Sequence, residues 1–467
     1  MNGKMIAAAG LLCAATGCMS LSPSGGTWYR GMLSAHTYWS DGEGGAQAFP
    51  EQAADAYRRA GYSFVSITDH NTAADDPAKW QFVFGSTTPS LFRVTDNIFT
   101  AYTNRFPGAE CRKLGARPCV RLKTQREVKA ALDAPGRFLV LPGSEVTRKL
   151  HNAKLGVAGD LNFACVNLNG LVEGARGHAP FETYRGGDWD LSRVISHTVG
   201  ETTALAAEQG NPPFVAVVSH PLAPAFDIPA EALVANPGVR FAEVCSRGTD
   251  WTPPAELDRG GWEADHWWDV VNAFRARDGK PLLYATASDS AGFYPDSGLG
   301  PDAKDDFGHG WICVRAPALA ADELMGAMLR GDFYASCGVE LEDVSFADGT
   351  LSVKVPARPG VRHTVRFIVT KRGFPTETKV VTFPREDDDV YLGSFATTAR
   401  VRRYSDEIGK TAKLVEGRAG EATVASYAMA DDDLYVRARV ESDQPLDMPG
   451  RYLRPRVKAA WTQPYAR

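Results

Sequence analysis

Between residues 28 and 340 of this 467-residue chain, short apolar runs alternate with amphipathic stretches, and that rhythm admits few architectures. The apolar runs are Phe64 to Thr68, Phe138 to Leu141, Phe163 to Leu168, Phe214 to Ser219, Phe241 to Cys245, Leu282 to Ala287 and Trp311 to Val314. Each has the length of a buried strand. Pro50 to Ala60 and Ala321 to Leu329 carry apolar residues at three- and four-residue spacing, which predicts helices. Strands alternating with helices predict a parallel α/β architecture with polar residues at strand C-termini lining an active site.

After Glu340 the texture changes. Val344 to Phe346, Leu351 to Val355, Val365 to Thr370, Val380 to Phe383, Thr423 to Met429 and Leu434 to Glu441 are short and separated by Gly, Pro and Asp. That pattern predicts a small antiparallel β-sandwich over residues 341–467, and no cluster of catalytic residue types falls in it.

The first eighteen residues stand apart. Lys4 precedes an apolar run from Met5 to Ala15, too short to span a bilayer but long enough for a signal-peptide core. It ends in Ala15-Thr16-Gly17-Cys18, which resembles the lipobox of bacterial lipoproteins, whose cysteine becomes the acylated N-terminus. An ordinary secretory signal cut nearby is the alternative. On the lipoprotein reading, residues 1–18 are a signal peptide and 19–27 a tether. The mature chain is then exported to the cell envelope and held to a membrane by lipid at Cys18. An oxidising compartment permits a disulfide between Cys111 and Cys119. Cys165, Cys245, Cys313 and Cys337 lie in apolar runs as buried thiols, and the absence of CxxC spacing argues against a zinc–thiolate site. A net charge of −5 argues against a nucleic-acid-coating surface and leaves a small anionic substrate open.

Polar residues recur at the strand ends: Ser34-Ala35-His36-Thr37 through Ser40-Asp41-Gly42, Thr68-Asp69-His70-Asn71, Pro142-Gly143-Ser144-Glu145, Ser219-His220-Pro221 and Ser288-Asp289. Histidines and carboxylates spread over several strand ends, with no nucleophilic Ser or Cys motif, point to a metal cluster. Singly each motif is weak. A lone strand-end histidine is more often hydrogen-bonded than metal-bound, Asp69 reads equally as a helix cap, and His220-Pro221 as a strand end. Tyr38, Trp39, Trp80, Trp262, Trp267, Trp268 and Tyr294 read either as stacking surfaces for a base or sugar or as packing at the rim.

In order and phrasing these motifs resemble the polymerase-and-histidinol-phosphatase (PHP) family, over roughly residues 30 to 340. The resemblance implies a distorted seven-stranded, TIM-like β/α barrel over 28–340 followed by the β-sandwich. It also implies up to three divalent metals (zinc, manganese or iron) and hydrolysis of a phosphate ester by a metal-bound hydroxide. His36, Asp41, His70, Glu145, His220 and Asp289 fall at ligand positions, with Glu145, Asp289 and His70 as the residues implied in catalysis. The family's His-x-His opening is here Ser34-x-His36, and its closing Asp-x-His is Asp289-x-Ala291. A further family histidine corresponds to Asn162, with His151, His178 and His309 as substitutes. Glu243 and Arg247 fall where a ligand is oriented or a phosphate met. Each of three implied pockets has lost one ligand, so one or two metals per chain are expected. A working phosphoesterase, a degenerate member that binds a glycan or anion without turnover, and a surface scaffold acting through its β domain are the three readings.

Overall fold

The computed structural model describes residues 25–40, 48–72, 74, 79–84, 94–152, 157–168, 170, 182–185, 188–222, 228–246, 264–289, 294, 307–384, 398–446 and 456–467. In chain order the first elements are β1 (Thr27–Ala35), α1 (Pro50–Arg59), β2 (Phe64–Ile67), β3 (Trp80–Phe82), α2 (Asp96–Arg105), β4 (Cys111–Leu114), β5 (Arg117–Arg121), α3 (Gln125–Leu132) and β6 (Leu139–Leu141). There follow β7 (Gly143–Asn152), β8 (Val157–Val166), β9 (Glu182–Arg185), α4 (Leu191–Glu208), β10 (Val215–Ser219), α5 (Ala230–Ala235), β11 (Phe241–Cys245), α6 (Ala264–Arg277), β12 (Tyr284–Ala287), β13 (Trp311–Ala316), α7 (Ala321–Arg330) and β14 (Phe333–Ser336). Among the described residues the remaining elements are all strands: β15 (Asp343–Ala347), β16 (Thr350–Val355), β17 (His363–Lys371), β18 (Lys379–Pro384), β19 (Thr398–Arg403), β20 (Lys410–Glu416), β21 (Thr423–Ala428), β22 (Asp433–Leu446) and β23 (Arg456–Thr462). None of the described helices is long and apolar enough to cross a membrane.

The fold is mixed α/β, and the strands expected in one closed barrel are divided between two sheets. One has nine strands in the order β20-β17-β22-β23-β14-β13-β1-β2-β6, the other six in the order β12-β11-β10-β8-β7-β9. Pairing is parallel along β1-β2-β6 and β10-β11-β12, and antiparallel at β1–β13 and β7–β8–β10. Among the described residues no continuous ladder closes the ring. At one seam a single bridge joins His70 to Glu145, through Asn71 N donating to Glu145 O (2.8 Å) and Glu145 N donating to Asp69 O (3.1 Å). At the other, the Gln463 amide spans Ala285, accepting from its N–H at 2.8 Å and donating to its carbonyl at 2.9 Å.

Between the two sheets lies an apolar core. Leu33, Phe64 and Leu141 from one sheet meet Ala164, Val217 and Phe241 from the other, and Leu324 and Met328 of α7 join them. Side chains two residues apart share a face of a strand. One step along, those same faces turn polar: Ala164 gives way to Asn162, Val217 to Ser219 and Phe241 to Glu243, all buried. Among the described residues these buried polar side chains gather at one end of the apolar core.

The strands beyond residue 340 do not stand apart from this framework. β23 pairs with β14 on one side and β22 on the other. Val353 of β16, Phe367 of β17 and Val436 of β22 share one core with Met32 and Val65. A buried ion pair ties α6 to β22: Arg437 donates from Nε and Nη2 to the two carboxylate oxygens of Asp269, at 2.7 and 2.6 Å. Tyr435 adds its hydroxyl to Asp269 at 2.8 Å, and Arg439 pairs with Asp265.

Two expectations are corrected here. Glu145 does not follow a strand end; it is the third residue of the ten-residue β7, which continues β6 past Pro142 and pairs antiparallel with β8. Cys111 and Cys119 are free thiols. Cys111 stands opposite Val120 and Arg112 opposite Cys119, so the two thiols sit on adjacent rungs and leave opposite faces of the ribbon.

Candidate metal centre

His36 follows the last residue of β1, His70 lies just past β2, and Glu145 points from β7 across the seam. Three neighbouring strands and their ends thus deliver three candidate ligands, two imidazoles and a carboxylate, to one place, with ligand atoms all within 4.8 Å of one another. Nε2 of His36 is 3.1 Å from Oε2 of Glu145, and Nδ1 of His70 is 3.9 Å from the same oxygen. The two imidazoles stack, with centroids 4.6 Å apart and planes 6° from parallel.

All three side chains are buried. Burial by itself pushes the Glu145 carboxyl up, but the imidazoles of His70 and His36 outweigh it and hold the group at about 2. Burial lowers His70 to about 4, so its ring is neutral at pH 7. At His36 burial also lowers the value, but contact with Glu145 outweighs it and the net direction is up. Despite their proximity, neither oxygen of Glu145 has an aligned hydrogen bond, nor has Nδ1 of His36. A buried polar group without a partner costs about 1–3 kcal/mol, and a charged one more. Two imidazoles around a buried carboxylate make a donor set that would fit a divalent cation.

Supporting contacts fix the ligands. Nδ1 of His70 is 2.8 Å from Oγ1 of Thr147, whose own N–H donates to Oδ1 of Asn71 at 3.0 Å. Tyr294 donates its hydroxyl to the carbonyl of His36 at 3.2 Å. Asp69 takes the structural role: its carboxylate accepts from Thr37 N (2.6 Å), Thr37 Oγ1 (2.8 Å) and Ser40 Oγ (2.8 Å), tying down the turn that follows His36. Ser34 lies 3.4 Å from His36, Oγ to Nε2.

The other sequence candidates are placed differently. His220, in the left-handed region at φ 49°, has Nδ1 3.0 Å from Oε2 of Glu243 and 3.1 Å from Oγ of Ser246. Ser288 donates to the other Glu243 oxygen at 2.6 Å, so Glu243 orients His220. Asp289 accepts from Tyr57 OH and from Gly308 N, each at 2.8 Å. Among the described residues, the 4.8 Å group contains none of His220, Asp289 and His309. Asn162 pairs across the sheet with both Thr147 and Ser219, and its buried Oδ1 has no partner. His151 is six residues beyond Glu145 on the same extended strand, which sets its backbone about 20 Å away. Cys18, Asp41, His178, Arg247, Trp262 and Ala291 lie outside the described residues.

Of the aromatic candidates, Tyr38, Trp39, Trp267, Trp268 and Tyr294 are buried and pack. Trp267 and Trp268 donate their indole N–H groups to the carbonyls of Ile228 and Leu283. Trp80 lies under the guanidinium of Arg112 at 3.8 Å. Sequence reasoning missed Thr147 and Tyr57. Thr147 shares a strand face with Glu145, a signal that becomes visible only once β7 is read as a strand.

No protein-family model matches the chain, and no curated protein matches it. Among solved structures it is similar to a two-domain protein containing a predicted PHP-like metal-dependent phosphoesterase from Bacteroides vulgatus ATCC 8482. That likeness has 13% identity and a TM-score of 0.34, and covers 90% of this chain and 91% of that one. It is also similar to PsfC from Pseudomonas syringae PB-5123, at 12% identity and a TM-score of 0.30, over 65% of this chain and 88% of that one. At such scores the likeness carries no chemistry, and the functional reading rests on the side chains themselves.

Proposed function

We propose that the protein is a PHP-type metal-dependent hydrolase acting on a phosphate ester, its catalytic part a distorted barrel over residues 28–340. The observation that carries this reading is the buried His36–His70–Glu145 group, in which neither carboxylate oxygen has an aligned hydrogen bond. A divalent cation held there supplies Lewis acidity toward a phosphoryl oxygen and lowers the pKa of a water. Glu145 contributes the fixed negative charge, His70 is held in place through Thr147, and the apolar core beneath keeps bulk water from one side. Glu243 aims His220 from the adjoining strand as a further ligand. The position of Ser34 against His36, where the family has a histidine, favours a second reading in which a ligand is bound without turnover.

Metal analysis of the purified protein, followed by hydrolysis of an aryl phosphate, separates the two. Glu145→Gln is expected to lower metal content and turnover together. Turnover that survives this change places the chemistry elsewhere, and stoichiometric metal with no turnover favours the second reading. We also propose export and acylation at Cys18. Cys18→Ala is then expected to move the protein from the membrane fraction to the soluble exported fraction, and unchanged membrane association refutes the anchor.

A further inference from the structure

A cavity of about 510 Å³, apart from the candidate metal centre, lies where α3 faces the kink between β6 and β7 and the start of α7. Its volume is that of a small-molecule site. None of the metal-centre residues lines it, so what it binds is independent of the phosphoesterase reading. α3 contributes Gln125, Arg126 and Lys129; the facing wall is built mainly from the apolar Val140, Leu141, Pro142 and Ala321, with Asn167 and Gly170 beside them.

The charges in this cleft are uneven. Lys129 is committed, with Nζ 2.5 Å from Oδ2 of Asp133 and 3.1 Å from the carbonyl of Val140. Arg126 is exposed, and among the described residues no carboxylate pairs with it. Neighbouring arginines contrast with it: Arg121 is held by Glu110 and Glu127. The cleft therefore offers one uncompensated guanidinium opposite an apolar surface.

The wall is also rigid. Gln125 is buried, and its side-chain amide donates to the carbonyls of Ile67 (2.9 Å) and Gly143 (2.6 Å) while accepting from Gly143 N (3.2 Å). These three bonds pin the start of α3 to β2 and β7, so the framework of the cleft is set before any ligand arrives and the ordering left for binding falls mainly on Arg126.

We propose that this cleft binds a small monocarboxylate with a short aliphatic chain. A guanidinium fork matches a carboxylate in two parallel hydrogen bonds. The apolar part of the wall takes the chain, and among the described residues a single free cation leaves a multiply charged anion undercompensated.

The test is calorimetric titration of the full-length protein with acetate, butyrate, hexanoate and inorganic phosphate. Butyrate is expected to bind one per chain, more tightly than acetate by about fourfold for each added methylene that is buried. Arg126→Ala, an exposed substitution, is expected to weaken butyrate at least about tenfold while leaving thermal stability unchanged, as for loss of a charge-assisted bond. Three results overturn the proposal. They are no saturable butyrate binding, phosphate displacing butyrate with equal affinity, and butyrate affinity unchanged in Arg126→Ala.

Discussion

His70 lies just past β2 and Thr147 within β7, and the 2.8 Å contact between Nδ1 and Oγ1 sets how that imidazole faces Glu145. Groups that orient a ligand in this way are typically worth 10–100-fold in metal affinity. Thr147→Val keeps the shape and removes the hydroxyl, so we expect metal affinity to fall about 10–100-fold with little change in melting temperature. Thr147→Ser should recover most of it. Titrating zinc or manganese into chelated protein reads the effect, and a lower melting temperature with unchanged affinity shows Thr147 to be packing only. At this scale the sequence was legible where residue type is rare. Buried histidines and carboxylates attract attention, and His36, His70 and Glu145 do come together. A threonine two residues along a strand does not announce itself. The two cysteines misled for the opposite reason, since closeness in sequence says nothing of which face each side chain leaves.

The elements themselves were read from apolar runs, and the errors cluster where a strand bends. Pro142-Gly143 looks like a loop, yet the chain continues through it as β6 and then β7. Gly143 is needed there because a Cβ would lie 2.5 Å from Oγ of Ser66 and 2.9 Å from the carbonyl of Cys165, backbone that cannot yield. The small sheet of β3, β5 and β4 escaped notice because its strands are mostly exposed and carry arginines in place of an apolar alternation. At the contact of α6 with β22, Asp269→Asn removes the bidentate partner of the buried Arg437 and leaves it only Asp265, 3.5 Å from Nη1. We expect a loss of up to about 3–5 kcal/mol, read as a lower urea midpoint. Asp265 adds a pH dependence. Burial pushes its carboxyl up, but Arg439 and Arg437 outweigh burial and hold it below the ordinary range. A depressed folded value contributes stability that is complete above the unfolded carboxylate pKa of about 3.9 and is lost as pH falls through the folded value. The urea midpoint should therefore fall in that acid window, and less steeply in Arg439→Met. Equal slopes in the two proteins exclude this pair as the cause.

At the scale of the whole molecule, the change of texture near residue 340 marks a real change from α/β to all-strand structure, but the sheet itself runs across it. β14 is flanked by β13 on one side and β23 on the other. A chain ended at residue 340 loses that second neighbour and uncovers Tyr334, Ala335 and Ser336 along an open edge, a template for association with another copy. Size-exclusion chromatography is expected to show such a fragment aggregated or unfolded; a monodisperse, helical fragment shows that the first 340 residues are self-sufficient.

The place of β23 also sets a schedule. Ribosomes deliver a chain from its N-terminus, and early segments usually begin to fold while later ones are still being made. Here β22 and β14 have no direct ladder to one another, and the strand between them ends at Thr462. The central sheet stays in two halves until residue 462 has been synthesised. The seam across which His70 meets Glu145 belongs to the early half, so the metal ligands can gather before the sheet that braces them is joined.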